Sequence, residues 1–525
     1  MTPISRRAFV RTGASAVAWV SLPPVFRGTR SSAEDAPVFE TDHARLMSAY
    51  RGALETLAQN TVKVFEFEEP VLIEGSVYRG VWLECAPQES QVYSEWQPAV
   101  GFSTHRVFFE SQREDGYLHC NVKMDTRGTG QIQMVVPIAA TALELYERFG
   151  GEEFLNLAYR SCSRWDEWLV RYRNTRGTGL CEGFCEYDTG HDNSPRWKGV
   201  PKQCPDRDAR KIPEAPGIPR LCPDLSASVY GGRLALARMA HILGRRSEAD
   251  KWQERAEEIR KKILDRLYDP ADAAFYDLDA EDKFVRIRSD VISRVLGEHV
   301  VDQKLFEEIY RKQIRNPKAF WAPYPLPSIA LDDPAFVRPI PRNSWGGATQ
   351  ALTALRAPRW MEHYGKPADL AYMMQQWIKA IVTAKGLLAQ QMDPLTGKFS
   401  TEDPGGYSPA ALVMLDYTWR LHGVRRTKDQ LEWNCRPPEN ARKSTFSLPT
   451  PKGMAQLEHS LLGSALSLAG KPILQVEGVA RVVTDASGKG LWLVGTLGEA
   501  TEVRLTWSGG KSVVRRIAPN ARLAL

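Results

Sequence analysis

The sequence predicts a mainly α chain of helical hairpins closed into a double ring, followed by a small C-terminal β-sandwich. Three observations carry this. Apolar residues recur at helical spacing from Val136 to about residue 424, the helical segments pair across short breaks, and beyond residue 455 the apolar period falls to two. The absence of a fixed-period repeat argues against an open solenoid of helix pairs.

Taken in order, residues 1–33 carry Ser5-Arg6-Arg7-Ala8-Phe9-Val10-Arg11 and then an apolar run from Gly13 to Leu22. This is a twin-arginine export pattern, and its apolar run is too short to anchor in a bilayer. The expected destination is periplasmic or extracellular. Five arginines and no acids lie in that leader, so without it the net charge falls from +6 to +1. A near-neutral mature chain gives no electrostatic case for nucleic acid or for a membrane surface after signal cleavage. Residues 34–42 read as a polar linker, 43–59 as an amphipathic helix and 60–125 as irregular and β-like. Two helical pairs follow, joined at Gly150-Gly151 and at Arg245-Arg246, then helices near 289–297, 302–314, 347–357, 367–385 and 408–422. The ring domain is thus placed at 34–424, a Pro-rich linker at 425–455 and the β-sandwich at 456–525.

The eight cysteines are too few for a disulfide scaffold. Cys181, Cys185, Cys204 and Cys222 lack paired CxxC knuckles, so they read as buried thiols or a Cys204–Cys222 bridge rather than a zinc site. No metal or cofactor is expected. Fifteen tryptophans suit sugar stacking and core filling alike.

Long loops at 175–224, 315–346 and 390–407 are where chemistry is expected. The densest stretch runs from Glu186 to Trp197 and holds Asp188, His191, Asp192, Asn193, Arg196 and Trp197. Carboxyls beside amide, guanidinium and aromatic groups are what cleaving and holding a sugar linkage requires. The partner expected is an oligosaccharide or glycoside. Trp321, Tyr324 and Trp345 are further candidate sugar platforms in loops.

The run Asp188-Thr189-Gly190-His191-Asp192-Asn193-Ser194-Pro195-Arg196-Trp197 resembles a motif of glycoside hydrolase family 63 and the related trehalases, a group that includes mannosylglycerate hydrolase-like domains. The resemblance spans about residues 100–424 and implies an (α/α)6 toroid that hydrolyses an α-glycoside with inversion. It implies Asp192 as general acid and places Asp188, His191, Asn193, Arg196 and Trp197 in the sugar pocket. Asp188 stands where the family has Glu and His191 where it has Trp. Arg106 and Gln112 resemble a loop near the toroid entrance, and Arg342 to Trp345 a further pocket segment.

The family's general base falls on Gln390, whose amide cannot take a proton from water. Glu402 or Asp403, beside Tyr407 in the same loop, is the expected replacement, with a partner elsewhere, Asp188 or Glu186, as the other source of a base. Two alternatives remain open from sequence: a polysaccharide lyase using Tyr187, His191, Asn193 and Arg196 on a uronate, or an inert glycan-binding protein that keeps Gln390 as a ligand.

Overall fold

The computed structural model describes residues 36–400, 402–427 and 429–525. The twin-arginine leader lies outside them. Twelve helices occur among the described residues: α1 Ala44–Gln59, α2 Ala86–Tyr93, α3 Pro98–Glu110, α4 Ile138–Phe149, α5 Glu152–Tyr172, α6 Pro223–Ile242, α7 Arg246–Arg266, α8 Val291–Gly297, α9 Gln303–Ile309, α10 Ala351–His363, α11 Pro367–Thr383 and α12 Ser408–His422. The even-numbered helices touch one another in a closed cycle, α2 to α4 to α6 to α8 to α10 to α12 and back to α2. The odd-numbered helices pack outside them.

Composition explains which helix goes where. Outer α7 buries only Ala249, Trp252, Ala256, Ile259 and Ile263, a single stripe at helical spacing, and its other faces are charged. Inner α12 is buried along almost its whole length and reads as mostly apolar or small, with its charges Asp416 and Arg420 paired to each other. Helices α2 and α3 lie inside the stretch expected to be irregular. Inner α2 buries Gln88, Glu89 and Ser90 along with Ala86 and Tyr93, so no apolar stripe marks it as a helix.

The connections decide where a site can form. Turns from inner to outer helices are short. The α4–α5 turn is Gly150-Gly151, and both residues hold positive φ, which glycine adopts without strain. Turns from outer to inner helices are long: 60–85, 111–137, 173–222, 267–290, 310–350 and 384–407. Because helices alternate in direction, all six long segments gather at one end of the ring.

The β region is larger than expected. Residues 425–455 are not a linker: Val424–Arg426, Gln430–Cys435 and Lys443–Thr450 are strands. Val38–Thr41, within the expected N-terminal linker, pairs antiparallel with Ser444–Ser447 as the edge of a seven-stranded sheet. A five-stranded sheet completes the unit, and the inward residues of both sheets, such as Phe446, Leu457, Trp433 and Val482, share one hydrophobic core with the helices. The proline pairs at 437–438 and around 449–451 flank these strands and mask an alternation that Ser444, Phe446 and Leu448 obey.

Candidate active site

Each long segment contributes to the same end of the ring. The first brings Glu74, Tyr78 and Glu84, the second Gln131 and Gln133, and the third Asp192. The fourth brings Asp277 and Asp290, the fifth Asn343 and Trp345, and the sixth Gln390 and Tyr407.

The 186–197 loop is held rigidly from below. Asp188 is fully buried and ion-paired through both oxygens with the equally buried Arg173, and it also accepts the N–H groups of Phe184, Cys185 and Ile132. Arg196 spends all five of its N–H donors on two contacts with Asp224, two with Asp277 and one toward His191 Nδ1, at 2.6–3.0 Å. His191 Nε2 lies 2.8 Å from Asp290 Oδ1. Burial, with Arg294 beside it, pushes this imidazole down to about 4, so it is neutral. The network then assigns its proton to Nε2. Trp197 is buried and donates its indole N–H to Thr189.

These contacts correct the sequence reading. Asp188, His191, Arg196 and Trp197 are struts of the loop, not groups that face a sugar. The lyase set fails with them, because His191 and Arg196 are committed inside the protein. Trp345 is also buried, packed on His191 at a 5.0 Å ring separation, with its backbone N–H on the Asp192 carbonyl. Arg106 pairs with Glu69 and Glu110 on α3 and its neighbouring strand. Gln112 is bonded to the carbonyls of Gly116 and Ser161, pinning its loop to α5. Trp321 stacks on Tyr372 and is buried. Asn193 is exposed but bridges loops, donating to the Asn343 carbonyl. Tyr407 is buried and donates to Glu74 at 2.7 Å. Asp403 accepts the backbone N–H groups of Gln390 and Gly405, so it shapes the turn, while Glu402 is exposed.

Asp192 behaves differently from all of these. Its carboxyl accepts one amide hydrogen bond, from Asn343 at 3.0 Å. Asn343 in turn accepts from Gln390, and Gln390 accepts from the Tyr78 hydroxyl, each at 3.0 Å. The residue at the family's base position is therefore two hydrogen bonds from Asp192. Burial, and then the Glu84 carboxylate, push Asp192 up to about 7. Glu84 reaches it because Gly190 has no side chain: a Cβ there would collide with the Glu84 carboxylate. Glu84 is fixed from behind by a relay of amides, Gln203 to Gln131 to Gln133 to Glu84, at 2.9–3.0 Å. Glu74 is pushed well above the usual range by burial and by Glu84 and Glu89, and Glu89 rises to about 8 through burial.

Glu74, Tyr78 and Glu84 were not singled out from sequence, and Asn343 was covered only as part of the Arg342 to Trp345 segment. Each is an isolated polar residue in an apolar or proline-rich run, and only loop convergence makes them a group. The cysteines form no bridge among the described residues: all eight are free and buried, and Cys204 lies 3.8 Å from Cys185 rather than against Cys222.

Residues 82–419 match the family model described as the mannosylglycerate hydrolase MGH1-like glycoside hydrolase domain. The chain belongs to this family, and it is a glycoside hydrolase. Its fold is similar to that of the GH63 mannosylglycerate hydrolase from Thermus thermophilus, with a TM-score of 0.58 at 18% identity over 70% of this chain and 100% of that one. It also resembles neutral trehalase Nth1 from Saccharomyces cerevisiae, with a TM-score of 0.51 at 14% identity over 70% of this chain and 80% of that one. A sialidase matches with a TM-score of 0.64 at 16% identity over 86% of this chain, which spans 42% of the sialidase's length. These structures are toroid glycosidases in the first two cases, in keeping with the closed cycle of inner helices described above.

Removing one partner from the Arg173–Asp188 pair should strand a charge in the protein. Arg173→Met is expected to lower stability by about 3–5 kcal/mol in chemical denaturation. Adding Asp188→Asn to that variant should recover part of the loss. A loss below about 1 kcal/mol would show that the pair does not hold the loop.

Proposed function

We propose that this chain cleaves an α-glycosidic bond with inversion, Asp192 giving its proton to the leaving oxygen. The observation that carries the proposal is the Asp192 carboxyl, raised to about 7 and held in one orientation by Asn343. An acid near neutrality is protonated where it must donate and still strong enough to release its proton.

Glycosidic cleavage also needs an ionised carboxyl in the same site. Burial raises Glu84 as it does Glu74 and Asp192, but only Glu84 has the cations Arg356 and Arg294 and an amide donor from Gln133 opposing that shift. We assign the ionised form to Glu84, whose charge in turn disfavours ionisation of Asp192. Gln390 cannot be the base. Its amide, bridging Tyr78 and Asn343, orients a water or a sugar hydroxyl instead. The Arg6-Arg7 leader supports export by the twin-arginine route before the chain meets its glycan.

The test is release of reducing sugar from α-linked oligosaccharides and aryl α-glycosides, with the first-formed anomer followed by proton NMR. The β-anomer is expected from the wild type. Asp192→Asn should lose about 1,000-fold or more in kcat while still binding sugar. An α-anomer would overturn inversion, and an Asp192→Asn variant of undiminished rate would overturn the assignment of the acid.

The pH profile tests Glu84. Asp192 must be protonated to act, so kcat/KM should fall as pH rises through about 7. In Glu84→Gln the repelling charge is gone, the Asp192 value drops, and the alkaline limb should move to lower pH with about 100-fold lower activity. An unmoved limb would mean that Glu84 does not set the acid.

A further inference from the structure

Beside Tyr78 the ring end opens into a cleft of about 970 Å³, counting the solvent open to it, lined by Tyr78, Arg79, Trp82, Lys123, Met124 and Asp125 among others. Tyr78 belongs to both places. It forms one wall of the cleft, and its hydroxyl donates to Gln390, which leads through Asn343 to Asp192. A chain of sugars bound across the site therefore has this cleft as its continuation.

Two features distinguish the cleft from ordinary surface. The first is aromatic. Tyr78 and Trp82 meet edge to face at 6.1 Å and are both half-buried, and Met124 stands exposed beside them. Trp82 rests its other side on the buried Trp345 cluster, and Gly80 leaves it room because a Cβ there would press on its ring. Rings presented on a rigid strand at a pocket mouth suit the flat face of a sugar.

The second feature is charge. Arg173 and Arg196, packed beneath the site, are each matched with carboxylates. Around the cleft the pattern reverses. Arg79, Lys123 and Arg342 have no carboxylate partner among the described residues; Lys123 lies over the Trp82 ring at 5.8 Å, and Arg342 acts electrostatically on Tyr78. Asp125 is the single acid of the lining, against two cations there and Arg342 nearby. The acid floor of Glu74, Glu84 and Asp192 thus has a basic, aromatic rim.

We infer that this cleft is a subsite for an acidic sugar, a ring bearing a carboxylate or sulfate group. The ring packs on Tyr78 and Trp82, and its anion is met by Lys123 and Arg79. The inference rests on the glycosidase reading for the direction of the chain, but its recognition chemistry is testable without turnover. The natural substrate is then an acidic oligosaccharide rather than a neutral one.

The experiment is calorimetric titration of the Asp192→Asn protein with trigalacturonate, sulfated maltotriose and maltotriose. At least one acidic probe should bind about tenfold or more tightly than maltotriose, with the gap narrowing as salt is added. The rim variant Arg79→Gln/Lys123→Gln should erase that preference and leave maltotriose binding unchanged, while Trp82→Ala should weaken all three. Tighter binding of trigalacturonate assigns a uronate and of sulfated maltotriose a sulfate ester; equal binding of the two means that charge alone is read. Equal affinity for neutral and acidic probes, or a preference that survives the double variant, would overturn the subsite. Acidic-probe binding by a wild type that releases no sugar from any of the α-linked oligosaccharides and aryl α-glycosides would sink the α-glycosidase reading of Asp192 and leave the subsite standing. Hydrolysis of neutral glycosides without acidic preference would do the reverse.

Discussion

The guanidinium of Arg196 is the interaction on which the site depends. It joins the loop that carries Asp192 to Asp224 at the start of an inner helix and to Asp277 on the next long segment. Three pieces of chain that are distant in sequence are thereby fixed by one planar group, which lysine could not replace because its three donors on one nitrogen cannot make paired contacts to both carboxylates and a fifth to His191. His191 and Arg294 extend the clamp, Arg294 reaching Asp224 and the Thr189 carbonyl. Breaking a buried network of this kind leaves charges with no solvent to turn to. The motif is therefore built mainly to hold Asp192, and only its tip meets the pocket.

Electrostatics then divides the labour. Below the loop, each buried carboxylate near the clamp has an arginine. Asp224 is drawn well below the usual carboxylate range and Asp290 down to about 2. At the pocket the cations are fewer than the acids, and burial and mutual repulsion raise Glu74, Glu84, Glu89 and Asp192. The same residue type is thus a permanent anion in one layer and a proton store in the next. Helix alternation produces this layering, because it sends all six long connections to one end of the ring.

Much of the fold was legible in the sequence because outer helices and β-strands leave periodic signals. Outer α7 shows its stripe plainly, and so do the strands after residue 455. Inner α2 does not, since it buries Gln88, Glu89 and Ser90 beside its few apolar residues and so shows no apolar stripe. The strand Val38–Thr41 was hidden because its partner lies some 400 residues later. At the site, a dense polar motif located the right loop. It could not show that Asp188 and Arg196 spend their hydrogen-bonding capacity inside the protein. The isolated acids Glu74 and Glu84 gain meaning only from convergence of loops, which no local pattern records. The opposite error befell Glu402 and Asp403, which look like a site because they are adjacent, yet one faces solvent and the other ties a turn.

The most direct test of this account is the ionisation of Asp192 itself. Carbon-13 NMR of protein labelled at aspartate carboxyls, with Asp192→Asn used to assign the resonance, would follow its titration in the absence of substrate. The account predicts a midpoint near 7. A midpoint near 4, the ordinary value for an aspartate, would contradict it, because Asp192 would then enter the reaction at neutral pH with no proton to give.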